Sequence, residues 1–252
     1  MTTRAARLIS GVLLLLAALG APALAQAARV AAVTLTVSDA DREASFLHDV
    51  LTFEKVGEEE RADPADEELY GVFGVRVRVV TMRLGRESVR LQQFLAPEGR
   101  AVPPDGRGND LWFQHIALVV ADMNAAYQRL RAHGARHISS GPQRLPDWNP
   151  NAGGIEAFYF KDPDGHAMEL IHFPKGKGDS RWQEAGGRLF LGIDHTAIAV
   201  RDTEESVLFW RDRLGFRVAG SSENYGTEQD HRDCVVGARL RMTALLAPDG
   251  PV

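Results

Sequence analysis

SDADREASFLHDVLTFEKVG, residues 38–57, is written again as RDTEESVLFWRDRLGFRVAG, residues 201–220, and this pair of stretches decides how the chain is organised. Asp39, Phe46, Asp49, Leu51, Phe53 and Gly57 recur as Asp202, Phe209, Asp212, Leu214, Phe216 and Gly220, each 163 positions later. The same offset carries Gly74, Arg76 and Arg78 onto Gly237, Arg239 and Arg241. Matches at one constant offset without a gap mark an internal duplication. VAAVTLTV (30–37) corresponds to IDHTAIAV (193–200), whereas the partner of VRLQQFL (89–95) falls beyond Val252. The last module is therefore expected to lack its final strand, or the sequence to be a fragment.

Each copy reads as strand, helix, then three strands. In module one (28–100) the alternating strand at 30–37 is followed by Asp39 or Asp41 as a helix cap. Ala44, Leu47, Val50 and Leu51 then recur at helical spacing. Phe53–Val56 begins a second strand, the acidic segment 58–68 reads as a mobile, turn-like loop, and Gly74–Met82 and Val89–Leu95 are strands joined around Gly85. Module two (111–175) repeats the order with HIALVV (115–120), a helix capped by Asp122 and ended at Gly134, and a long Pro/Gly/Asn-rich loop at 141–154. Its closing strands IEAFYF (155–160) and HAMELIHF (166–173) are joined by the turn Asp162-Pro163-Asp164-Gly165. Module three (190–252) copies module one, and Pro-, Gly- and charge-rich linkers at 97–110 and 174–189 separate the modules. A four-stranded sheet with one helix leaves a bare face, here apolar, that a neighbouring module must cover. The expected fold class is α+β: repeated βαβββ modules paired into curved, open-barrel-like mixed sheets around a cleft, most simply modules one and two.

Residues 1–25 read as a signal peptide: Arg4 and Arg7, the apolar run Leu8–Leu19, then Ala23-Leu24-Ala25 as the cleavage site. Export to the periplasm or outside the cell is the expectation, and the apolar run is too short for a comfortable membrane anchor. Removing two positive and no negative charges takes the net charge from −5 to −7. A mildly acidic chain without a basic stripe is a poor nucleic-acid binder. Cys234 is the single cysteine, so no internal disulfide forms.

Glu169 carries the most chemical information. It shares a strand face with Ala167 and Ile171, opposite Met168 and Leu170. An unpaired carboxylate in such a strand costs several kcal/mol, so it needs a cation, either a metal or an arginine such as Arg76 or Arg90. His115 shares a face with Ala117 and Val119, and imidazole together with carboxylate suits Fe, Mn, Zn or Ni. His166 reads as a turn residue and His172 as structural. The loop Pro146-Asp147-Trp148-Asn149 is either a lid or plainly solvated. Arg76 and Arg78, with their copies Arg239 and Arg241, read as salt-bridge residues. No GxSxG elbow, Walker loop, HExxH or paired CxxC is present.

The strand His115-Ile116-Ala117-Leu118-Val119-Val120, the run Lys161-Asp162-Pro163-Asp164-Gly165-His166-Ala167-Met168-Glu169-Leu170 and the strand His195-Thr196-Ala197-Ile198-Ala199-Val200 resemble the vicinal oxygen chelate superfamily, the family of glyoxalase I, bleomycin-binding proteins and extradiol dioxygenases. The resemblance implies a divalent metal held by the first and last strands of two paired modules. Those positions are Ala32 and Gln92 in module one, and His115 and Glu169 in module two. Module three offers His195, its last-strand position lying past residue 252. The expected ligands are thus His115 and Glu169, with Gln92 as third, while Ala32 leaves a gap where the family has histidine. His195 serves a second site, or is simply a histidine exposed at the sheet edge, or, if modules two and three pair, completes a His115–Glu169–His195 triad. The function implied is a divalent-metal enzyme of dioxygenase, lyase/isomerase or transferase type, with Glu169 central to catalysis, acting on a small oxygen-bearing molecule. The alternative is a metal-free protein that sequesters a drug or other small molecule. A small-molecule substrate or ligand is the expected partner, and the resemblance leaves room for a homodimer.

Overall fold

The computed structural model describes residues 29–248, so the signal-peptide reading of residues 1–25 lies outside the described residues. Module one comprises β1 (Val33–Val37), α1 (Ala40–Asp49), β2 (Glu54–Arg61), α2 (Pro64–Tyr70), β3 (Arg76–Leu84) and β4 (Glu87–Ala96). Asp39 caps α1, its carboxylate accepting the N–H groups of Asp41 and Arg42. The sheet order is β1-β4-β3-β2, with β1 parallel to β4. The loop expected at 58–68 is instead the end of β2 followed by α2. Glu58 and Glu60 are tolerated there because Arg78 and Arg76 on the neighbouring β3 pair with them at 2.6 and 3.0 Å. Asp63 then caps a helix with Pro64 in its first turn, where a missing N–H costs nothing.

Module two comprises β5 (Gln114–Val120), α3 (Met123–Ala132), the two-residue strands β6 (Arg136–His137) and β7 (Gln143–Arg144), β8 (Glu156–Lys161) and β9 (Ala167–His172). Module three follows with β10 (Phe190–Ile198), α4 (Thr203–Leu208) running into a π-helical turn, β11 (Arg217–Tyr225), α5 (Thr227–Asp233) and β12 (Arg239–Leu246). Asp202 caps α4 as its copy Asp39 caps α1. No helix among the described residues is long and apolar enough to cross a membrane.

Strand pairing corrects the expectation that modules one and two share a cleft. The sheet of module two has the order β10-β5-β9-β8-β6, with β10 of module three antiparallel to β5. Module one meets module two face to face instead. Ile116, Leu118, Met168 and Leu170 point to one side of the module-two sheet and pack in one core with Leu47, Val80, Met82 and Leu91 of module one. The seam is also polar: Arg129 of α3 donates to the carbonyls of Asp49 and Val50 at the end of α1. Asp164 of the Asp-Pro-Asp-Gly turn accepts from the N–H and hydroxyl of Ser38, both at 2.6 Å, and pairs with Arg42. Module one therefore uses the face that buries Ile116 and Leu118. The opposite face, bearing His115, Ala117 and Val119, and the free edge of β5 are left to module three. The hairpin β11–β12 stands as a separate two-stranded sheet.

Candidate metal centre

Three adjacent strands set the site. Ala117 of β5 lies in register with Glu169 of β9 on one side and with His195 of β10 on the other. His115 is two residues along β5, hence on the same face. The small side chain of Ala117 lets Glu169 and His195 reach toward each other across the intervening strand. A register shift in β10 between Ile193 and His195 makes this work. Ile193, opposite Leu118, joins the core, while His195, opposite Ala117, joins the site. The extra residue at the bulge is Asp194, and re-aiming a side chain in this way is what a bulge does.

His115 Nε2 lies 3.1 Å and His195 Nε2 3.5 Å from Glu169 Oε2, and one ligand atom from each of the three residues lies within 4.8 Å of the others. A first-row ion held at about 2.0–2.2 Å from each ligand places its donors roughly 3–3.5 Å apart, which the two separations from Glu169 match. The hydrogen bonding points the same way. Despite its closeness to Glu169, His115 Nε2 is buried without a well-directed hydrogen bond, as is Nδ1. Such atoms are costly unless something occupies the point they face. His195 Nδ1 is 2.9 Å from Asp194 Oδ2, and Asp194 Oδ1 accepts the indole N–H of Trp182 at 2.7 Å. That pairing places the ring proton on Nδ1 and leaves Nε2 as a free ligand, the arrangement common behind metal-bound histidines.

The charge states of Glu169 and His115 suit coordination, whereas His195 must release a proton to bind an ion. Burial alone would raise the Glu169 pKa, but Arg232 and then His115 and His195 outweigh it and hold the carboxyl at about 2. Burial pushes the pKa of His115 down, favouring the neutral imidazole that a ligand must be. Partial burial lowers that of His195, but Asp194 and Glu169 outweigh it, and the pKa lies above its ordinary value. His195 has the most exposed side chain of the triad, at 37 %, against 7 % for His115 and 2 % for Glu169, and it marks the open side. Tyr159 and Arg232 complete the surroundings. The tyrosine ring lies 4.9 Å from that of His115, and Arg232 Nη2 donates to its hydroxyl at 2.6 Å. Burial raises the Tyr159 pKa, so the hydroxyl stays protonated.

The expected residues divide cleanly. His115, Glu169 and His195 come together through the pairing of modules two and three. Gln92 does not join them: it lies on β4 of the other sheet, its Oε1 accepting from the Tyr70 hydroxyl at 2.9 Å. The arginine facing Glu169 is Arg232, whereas Arg76 pairs with Glu60. His166 locks the turn through Asp162 at 2.7 Å, and His172 bonds the Val120 carbonyl. The loop holding Trp148 and Asn149 is tied to module three: Asn149 Nδ2 donates to Asn224 Oδ1 at 2.8 Å, and Trp148 packs on Tyr225. Arg78, Arg239 and Arg241 form ion pairs, as read from the sequence. Asp194, Tyr159 and Arg232 were missed. Strict alternation sends Asp194 to the face opposite His195, and no local pattern marks Arg232.

A family model described as "Glyoxalase/Bleomycin resistance protein/Dioxygenase superfamily" matches residues 29–170 and 192–251. The chain belongs to this superfamily. Among curated proteins it is similar to a 2-epi-5-epi-valiolone epimerase of an Actinomyces species, 30% identical over 148 residues, or 57% of this chain and 79% of that one. Solved structures share the superfamily fold. Glyoxalase I from Zea mays has a TM-score of 0.55 at 15% identity, covering 89% of this chain and 72% of that one. A glyoxalase family protein from Bacillus cereus has a TM-score of 0.51 at 20% identity, covering 60% and 98%.

Proposed function

We propose that this superfamily member is a divalent-metal enzyme holding its ion on His115, Glu169 and His195 and acting on a small molecule with vicinal oxygens. The convergence of the three ligand atoms from β5, β9 and β10 carries this reading. Fe, Mn, Zn and Ni all accept such a donor set. A bound divalent ion would serve as a Lewis acid, polarising the substrate's oxygens and acidifying the C–H beside a carbonyl. The chain's own residues do the rest. Glu169, ionised down to about pH 2, supplies the negative charge, and Asp194 fixes the orientation and tautomer of His195. Ala117, Val119, Ile171 and Leu191 make the adjoining face apolar and exclude water from it.

The relation to an epimerase favours proton transfer next to a carbonyl, the isomerase type, among the family's reactions. The two-histidine, one-carboxylate donor set favours a second reading, a non-haem iron oxygenase. A metal-free sequestering protein was suggested by the gap at Ala32, but in the present reading His195 of β10 supplies the third ligand, so that gap does not weigh for it. The basic start, apolar run and Ala-x-Ala site support export, which intact mass of protein from a bacterial periplasm tests: retention of residues 1–25 would count against it.

The decisive experiment is metal analysis of dialysed protein. Wild type should keep close to one ion per chain, Glu169→Ala and His195→Ala should lose it, and Gln92→Ala should not. At a hundredfold excess over Kd, the ion should add about 3 kcal/mol of stability to wild type. A wild type that binds none of the four metals and melts identically with chelator rules the reading out.

A further inference from the structure

The substrate class can be taken further, resting on the metal-centre reading. We propose that Arg232 is a specificity-determining residue: its guanidinium receives an anionic oxygen of the chelating molecule, so the site takes 2-hydroxy or 2-oxo acids in preference to neutral hydroxyketones or diols.

Arg232 lies in α5 of module three and is only 6 % exposed. Its place is built rather than incidental. The Ser139 hydroxyl donates to the Arg232 carbonyl at 2.6 Å and accepts the N–H of Tyr159 at 2.7 Å, so one side chain ties α5 to β8. Ser140 N–H donates to the His231 carbonyl at 3.0 Å beside it. The guanidinium is aimed by Nη2 at the Tyr159 hydroxyl and lies 4.9 Å from that ring's centre.

What the guanidinium lacks is the informative part. It carries five N–H donors, yet among the described residues the bond to Tyr159 is its only hydrogen bond. Nε is buried with no partner. The two nearby carboxylates stand off: Glu169 Oε1 is 3.9 Å from Nη1, and Asp233 Oδ1 is 3.7 Å from Nε. A structural arginine–carboxylate pair closes to about 2.7–2.9 Å, as Arg78 does with Asp41 at 2.7 and 2.9 Å on the surface of this same protein. Asp233 is held instead by Gln229, whose Nε2 donates to its Oδ2 at 2.8 Å. A buried cation left with free donors is costly, and planar carboxylates match its fork. Its location specifies the ligand. Glu169 turns Oε2 toward the two imidazoles and Oε1 toward Arg232. A molecule coordinated at the triad therefore lies beside the free N–H groups.

Cobalt(II)-loaded protein supplies a readout independent of turnover. Its visible absorption is titrated with lactate and oxalate as anionic chelators and with hydroxyacetone as the neutral one, in wild type, Arg232→Met and Arg232→Lys. Wild type should prefer the acids. Compared at full cobalt loading, Arg232→Met should weaken them at least tenfold while the hydroxyacetone affinity stays within twofold, and Arg232→Lys should restore part of the loss. If Arg232→Met does not fold, Arg232→Lys and Tyr159→Phe carry the test, since each disturbs the aimed fork and should weaken the acids selectively. Equal losses for acids and hydroxyacetone, or no loss, overturn the proposal and leave Arg232 as charge balance for Glu169. A wild type with normal cobalt absorption but no preference for acids overturns this proposal alone. A wild type that takes up no cobalt overturns the metal centre as well.

Discussion

Replacing Glu43 by glutamine should make the folded protein more stable at neutral pH, by an amount that grows with pH. Glu43 lies on α1 at the seam with module two, fully buried, with the Asp162 carboxylate within hydrogen-bonding reach of its carboxyl. Burial first, then the negative charges of Asp162 and Asp164, push its pKa from 4.5 to about 9, with Arg42 opposing only in part. Between those two values the folded protein holds a proton that the unfolded chain releases. Stability therefore falls as pH rises, by about 1.4 kcal/mol per pH unit for one such group. The loss begins near the unfolded value of 4.5, reaches about 3 kcal/mol at pH 7 and levels off above the folded value. Glutamine has nearly the same shape, keeps a donor for the neighbouring carboxylates, and does not titrate. Urea unfolding followed by circular dichroism, from pH 4 to 8.5, compares the two proteins with every other group in common. Their stabilities should coincide near pH 4, and Glu43→Gln should lead by about 3 kcal/mol at pH 7 with an unchanged m-value. A difference that stays flat across the range would show that Glu43 is not held protonated by the fold.

Asp194→Asn should lower metal affinity by about 10–100-fold, because asparagine offers one uncharged acceptor oxygen where His195 and Trp182 each use one; competition with a chromophoric chelator measures it, and unchanged affinity would deny Asp194 that role. Leu118→Ala should cost about 2–5 kcal/mol, since Leu118 is fully buried where modules one and two meet. A loss below 1 kcal/mol in chemical unfolding would mean that the two sheets do not share one core.

Much of the architecture is written locally. Asp39, Asp122 and Asp202 announce their helices because a carboxylate before an apolar periodicity satisfies the first free N–H groups. Alternation in His115–Val120 and Ala167–Ile171 assigned faces correctly, since strand neighbours must point oppositely. The repeat offset itself placed His195 as the counterpart of the position that Ala32 holds, so all three triad residues could be named from the chain. The acidic segment 58–68 misled because its charges look unpaired in sequence, and only β3 alongside supplies Arg76 and Arg78.

Which module joins which was decided by tertiary structure alone. Edge-to-edge pairing of β5 with β10 and face-to-face packing with module one both bury apolar strands, and periodicity is blind to the choice because it records which face is apolar and never what covers it. The bulge that turns His195 inward, Asp194 behind it and Arg232 beside Glu169 likewise depend on strand register and on contacts between residues 63 positions apart. Local propensity carries no information about such pairs, since they meet only when the whole chain has folded.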